Sequence, residues 1–167
     1  MIRKRGKKSQ LEISFGMIFS IILIVVFIAV AIYAVTMFLK FKECADTGLF
    51  KNELQTSIDR AWNGDEASFS KQLSISGIDK VCFGNLSLPV KGEFREEYNS
   101  LSRFESRDWN IFFYPFEKAC DNQEGFFIKH LDIAEITKEN NPNCFLVRNG
   151  KMELQIETSY GSLVRIS

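Results

Sequence analysis

ISFGMIFSIILIVVFIAVAIYAVTMFL, residues Ile13 to Leu39, runs for 27 positions without a charged side chain. A helix of that length extends about 40 Å at about 1.5 Å per residue, against a bilayer hydrocarbon core of about 30 Å. The stretch is too long for the apolar region of a secretory signal, about 7–15 residues, and no small-residue cleavage site follows it. A core helix of a soluble domain keeps a polar stripe, and this one is apolar on every face. Residues 11–39 are therefore read as a transmembrane helix, with the lipid bilayer as its partner.

Working outward, charge sets the orientation. Arg3, Lys4, Arg5, Lys7 and Lys8 crowd residues 1–10, which hold no acid. Lys40, Lys42, Glu43 and Asp46 follow the span as a near-balanced mixture. The positive-inside rule then assigns residues 1–10 to the cytoplasm and residues 40–167 to an extracytoplasmic domain. The zero net charge of the chain hides this asymmetry, because everything after residue 10 carries a net charge of −5. A basic patch on the folded domain, the footprint of a nucleic-acid binder, is not visible.

Cys44, Cys82, Cys120 and Cys144 all follow the span, and none lies in a Cys-x-x-Cys pair, which argues against a zinc knuckle or a thioredoxin-like site. An even number of cysteines in an exported domain points to two disulfides. Three pairings are open. Cys44–Cys82 with Cys120–Cys144 is preferred, since the second bridge closes a short excursion; buried free thiols are the alternative.

Phe50, Leu54, Ile58, Ala61 and Trp62 recur at helical spacing, with Lys51, Glu53, Gln55, Asp59 and Arg60 on the other faces. The helix is thus expected to continue from about Leu11 to about Trp62, where Asn63-Gly64-Asp65 stops it. Beyond it the period changes to two. Phe69, Lys71, Leu73 and Ile75 alternate with polar residues, Gly77 turns the chain, and residues 79–83 read as a second strand. Residues 111–116 and 126–131 are aromatic and strand-like. Residues 144–148 and 152–156 flank Asn149-Gly150, the favoured hairpin turn. Residues 162–166 form a last short strand. Phe94, Tyr98, Leu101 and Phe104 mark one amphipathic helix. Twelve phenylalanines after residue 40 supply a core. The fold class is α+β: a long N-terminal helix packed on a mostly antiparallel, disulfide-linked, β-rich head.

No catalytic constellation emerges, and no cofactor, metal site or enzymatic activity is expected. His130 is the only histidine and is read as a surface strand residue. Glu93, Glu96 and Glu97 crowd a helix start, where carboxylates suit the dipole. In the run Trp109 to Phe116, Trp109, Ile111 and Phe113 should face one side of a strand and Phe112, Tyr114 and Phe116 the other. If one set stays exposed, it marks an interaction surface. Asn85-Leu86-Ser87 matches the N-glycosylation triplet. Gly16 and Ser20 stand four apart, a spacing that lets two membrane helices approach closely, so self-association is expected there.

Lys7-Lys8-Ser9-Gln10-Leu11-Glu12-Ile13, placed directly before the apolar run, resembles the class III signal of archaeal type IV pilin-like proteins. The resemblance implies a prepilin peptidase as partner, cutting between Ser9 and Gln10 and leaving the helix on the mature chain to pack into a filament core beneath a β-rich head. Many pilins carry Glu at the fifth mature position; here that position is Ser14 and the acid is Glu12, at the third. The outer domain resembles small archaeal membrane proteins. The function expected is a membrane-anchored extracytoplasmic protein, a pilin-like structural subunit of the cell envelope; the alternative is a monomeric tethered binding or accessory module.

Overall fold

A computed structural model describes residues 15–120, 123–158 and 162–167. Ser9, Gln10, Glu12 and Ser14 lie outside the described residues. The chain divides into two compact units, Met1–Leu39 and Lys40–Ser167. One helix, α1 (Phe15–Trp62), contributes to both. From Met17 to Leu39 its large apolar side chains are all exposed, and this stretch is long and apolar enough to cross a membrane.

The head is built on the other part of α1. Phe50, Leu54, Ile58 and Ala61 are fully buried, while Trp62 keeps 38% of its surface exposed. The helix ends as the sequence implies. Gly64 adopts φ 82°, and Asp65 N donates to the Arg60 carbonyl at 3.1 Å, closing the last turn.

The strands form two sheets. β1 (Ser68–Ser74) pairs antiparallel with β6 (Lys151–Glu157), which pairs with β7 (Arg165–Ile166). β2 (Lys80–Phe83) lies between β3 (Ile111–Tyr114) and β5 (Asn143–Leu146), with β4 (Gly125–Phe126) on the far side of β3; all these pairs are antiparallel. β1 and β2, neighbours in sequence across Gly77, thus belong to different sheets. So do β5 and β6. Asn149 and Gly150 form the expected turn, with φ 53° and 71° and paired bonds between Arg148 and Lys151. The ladder stops at that one bridge, and the turn becomes the corner where the chain changes sheet.

Both sheets cover the same stripe of α1. Leu73, Met152, Leu154 and Ile156 from one, and Val81, Phe83, Ile111 and Phe113 from the other, join Phe50, Leu54 and Ile58 in one core. Phe50 meets Phe113 edge-on at 5.7 Å between ring centres. The other face of the four-stranded sheet is buried too. There Cys82, Phe112 and Cys144 lie with Leu86, Leu101 of α2 (Arg95–Leu101), Phe94, Tyr98, Trp109, Tyr114 and Phe116. The aromatic run is therefore consumed on both faces and leaves no exposed row. Its register corrects one expectation: Trp109 lies with Phe112, not with Ile111 and Phe113. It precedes β3, so the alternation does not govern it, and its indole packs where a Cβ on Gly125 would come within 2.6 Å of it.

Glu97 lies in the first turn of α2, as its position implies, but it is buried. It is only 6% exposed and pairs with Lys80, whose ammonium lies 5.7 Å from the ring centres of both Phe94 and Tyr114. A carboxylate held at that depth depends on the partner that keeps its charge compensated.

Truncating the ring shared by α1 and both strand neighbours should open a cavity that the two flanking layers cannot close. Phe113→Ala is expected to destabilise the full-length protein in detergent by about 3–5 kcal/mol. Leu88→Ala, at an exposed position, should shift it by less than about 0.5 kcal/mol. Chemical denaturation followed by tryptophan fluorescence checks both.

Candidate functional site

The chain leaving β2 makes a tight turn whose backbone is held by two side chains. Asn141, 4% exposed, accepts from Asn85 N with its Oδ1 at 3.1 Å and donates through Nδ2 to the Asn85 carbonyl at 2.9 Å. Tyr98 donates its hydroxyl towards the Leu86 and Leu88 carbonyls at 3.1 and 2.9 Å. Leu86 is buried in the second core. With the backbone clamped and Leu86 turned inward, Asn85 and Ser87 are presented on the surface. Asn85 Oδ1 accepts from Ser87 N at 3.0 Å, a local turn typical of asparagine.

This turn borders an open groove of about 750 Å³, lined also by Arg107, Trp109, Phe127 and His130. A second hollow of about 780 Å³ shares Arg107, Trp109 and Phe127 and continues to Lys51 and Asn52 of α1. Arg107 places its guanidinium 5.4 Å from the Trp109 ring centre, and Phe127 is 52% exposed. Aromatic faces beside a cation and amide groups form a surface able to hold a polar ligand with apolar patches, such as a saccharide or peptide.

His130 sits beside the groove, and its setting corrects the strand expected over residues 126–131. β4 ends at Phe126 because the Asn110 carboxamide takes the next pairing. Asn110 Oδ1 accepts from Ile128 N at 2.8 Å and its Nδ2 donates to the Ile128 carbonyl at 2.7 Å. The chain then turns through His130, whose φ is 66°. The imidazole stacks on Trp62 with ring centres 4.4 Å apart, and Nδ1 lies 3.1 Å from Asp59 Oδ1. Gln55 donates to the same oxygen at 2.8 Å and accepts from Lys129 N at 3.0 Å. These contacts fasten the loop to α1. Among the described residues no three His, Cys, Asp or Glu side chains converge as a metal site.

Asn110 and Asn141 thus use one device, a buried carboxamide that pairs with both the N–H and the C=O of a single residue in a distant loop. Neither is singled out by its sequence context. An asparagine bordering a strand reads as an ordinary turn residue, and its partner is known only when the fold is known.

All four cysteines are bridged, but not as preferred from sequence. The bridges are Cys44–Cys120 and Cys82–Cys144, so the expected Cys44–Cys82 and Cys120–Cys144 pairs are corrected. The reason lies in the strand order. Cys82 and Cys144 are directly opposed in the β2–β5 register, which leaves Cys120 for Cys44 on α1. Sequence proximity, which favoured the 120–144 bridge, does not report that β2 and β5 are neighbours. Cys44 and Cys120 border a small hollow of about 340 Å³ with Lys40 and Lys118.

In the apolar part of α1, Gly16 and Ser20 share an exposed surface, as their spacing implies. The Ser20 hydroxyl donates to the Gly16 carbonyl at 2.8 Å, and Thr36 donates to the Tyr33 carbonyl at 2.8 Å.

Three tests follow from these contacts. Peptide mapping without reduction should return Cys44–Cys120 and Cys82–Cys144. Replacing Cys44 and Cys120 together by serine, which reopens a loop of 76 residues' separation, should cost about 4 kcal/mol by the chain-entropy model. Asn141→Ala should leave the part-buried Asn85 N–H without its partner, while the Asn85 carbonyl keeps Leu88 N at 3.2 Å, and cost about 1–3 kcal/mol in thermal unfolding.

No family model, curated protein or solved structure matches this chain, so its function is read from its own geometry.

Proposed function

We propose that this protein is a membrane-anchored, extracytoplasmic structural subunit of the cell envelope, pilin-like in design. The observation that carries the reading is α1 itself. Its large apolar side chains from Met17 to Leu39 are exposed, and Phe50, Leu54, Ile58 and Ala61 form part of the head's core. A bare apolar helix must be covered by lipid or by other helices. In a pilin-like subunit it serves as the assembly element, while the head carries the exposed surface. Two disulfides favour placing the head in an oxidising compartment, in agreement with the basic residues that precede the span. Gly16 and Ser20 are the proposed helix contact, since small side chains let backbones approach closely. We assign no catalytic step to the groove.

One observation favours the second reading, a monomeric tethered module. The Ser20 and Thr36 hydroxyls are satisfied within α1 and require no neighbouring helix.

Mass spectrometry of the mature N-terminus separates the two. A chain beginning at Gln10 is expected for the pilin-like subunit, cut by a prepilin peptidase after Ser9; an intact Met1 would return the tethered monomer. In-membrane crosslinking should give an oligomer that the double variant Gly16→Leu, Ser20→Leu abolishes. Unchanged crosslinking in that variant would remove this face as the interface.

A further inference from the structure

The turn at Asn85 is built as an acceptor for a covalent glycan. We propose that Asn85 is N-glycosylated, taking a saccharide from a lipid-linked glycosyl phosphate donor outside the membrane. The proposal rests on the reading that the head is extracytoplasmic.

Four observations converge on this residue. Asn85-Leu86-Ser87 is the only Asn-x-Ser/Thr triplet with x other than proline in the 167 residues. Its outer side chains, Asn85 and Ser87, are exposed, while Leu86 between them is buried. The polar groups around it are spoken for in a way that leaves the nucleophile open. Asn141 holds the Asn85 N–H and C=O, Ser87 N donates to Oδ1, and Asn85 Nδ2 has no hydrogen-bond partner among the described residues. Finally, the turn opens onto the groove of about 750 Å³, so a bulky saccharide fits without displacing the fold. The clamp matters most. A glycan must project from a held backbone, and here Asn141 holds the Asn85 N–H and C=O, while the Asn85 side chain contributes only its Oδ1, which leaves Nδ2 open.

The chemistry closes without a redox step. Asn85 Nδ2 attacks the anomeric carbon of the donor and a C–N bond forms. The bond from that carbon to the phosphate oxygen breaks, its electron pair leaves with the lipid phosphate, and one proton passes from Nδ2 to a base of the transferase. Ser87 supplies the hydroxyl that such a transferase requires two positions on. The linked sugar would lie beside Trp109, whose ring borders the same groove.

The test is made on the full chain, expressed in cells whose membrane holds an oligosaccharyl transferase and a lipid-linked oligosaccharide. The intact mass of wild type is compared with those of Asn85→Gln, Ser87→Ala and Ser87→Thr. Wild type and Ser87→Thr should share a mass excess of one glycan, and Asn85→Gln and Ser87→Ala should lose it completely. Thermal unfolding of the two deficient variants should match that of enzymatically deglycosylated wild type. In parallel, an impermeant lysine reagent on intact cells reports whether the head is outside. A labelled head with no mass excess, or an excess that survives Asn85→Gln, overturns the glycosylation and leaves the topology standing. A head labelled only after lysis overturns the topology, and the glycosylation falls with it.

Discussion

One apolar stripe on α1 organises the head. Phe50, Leu54, Ile58 and Ala61 project from a single helical face and are removed from water completely. Burying a side chain of that size contributes roughly 1.5–3 kcal/mol, so the stripe is a strong demand for cover. A three-stranded sheet alone is too narrow to meet it. The chain covers it with residues of both sheets, and most of the topology follows. β1 must reach β6 near the end of the chain, and β5 must leave the four-stranded sheet for the three-stranded one within the Asn149-Gly150 turn. A hairpin signal is thereby used as a corner.

The four-stranded sheet bears a second consequence. With α1 on one face, its other face would expose Phe112, Tyr114 and Cys82 to water. α2 and the segment after it cover that face with Phe94, Tyr98, Leu101 and Phe104. The result is a sheet buried on both sides, the reason its strands are so rich in aromatic residues. The two disulfides then act at complementary places. Cys82–Cys144 joins adjacent strands inside the second core, and Cys44–Cys120 ties the segment between β3 and β4 to α1. Their loops interleave along the chain, so together they restrict the unfolded ensemble across residues 44–144, and their contributions do not simply add.

Polar groups within this frame hold loop backbones in place. Asn110 and Asn141 satisfy loop backbones from beneath, Tyr98 holds the carbonyls of Leu86 and Leu88, and the Asp59–Gln55 pair fixes the His130 loop. The consequence is an outer surface around Asn85 and Trp109 whose backbone is held largely from beneath. In the proposed reading, that suits a subunit whose exposed face carries a modification or a neighbour.

How much of this was legible from the sequence follows from the range of the interactions. The long apolar helix, its continuation to Trp62, the stop at Gly64, the amphipathic helix marked by Phe94, Tyr98 and Leu101 and the turn at Asn149-Gly150 are all local: they depend on periodicity, on runs of one polarity, or on a residue tolerant of positive φ. The sequence alone therefore determined the α+β class and the positions of most elements, and its one glycosylation triplet is visible without a structure. What only the tertiary structure decided is long-range. Cys82 faces Cys144 because β2 and β5 are adjacent, and no spacing along the chain encodes that adjacency. Trp109 departs from strand alternation because it precedes β3 and packs over Gly125. Residues 127–131 read as strand by composition, yet they leave the sheet because the Asn110 carboxamide competes for the backbone of Ile128. In each case the deciding energy comes from a partner far away in sequence, and local patterns carry no information about it.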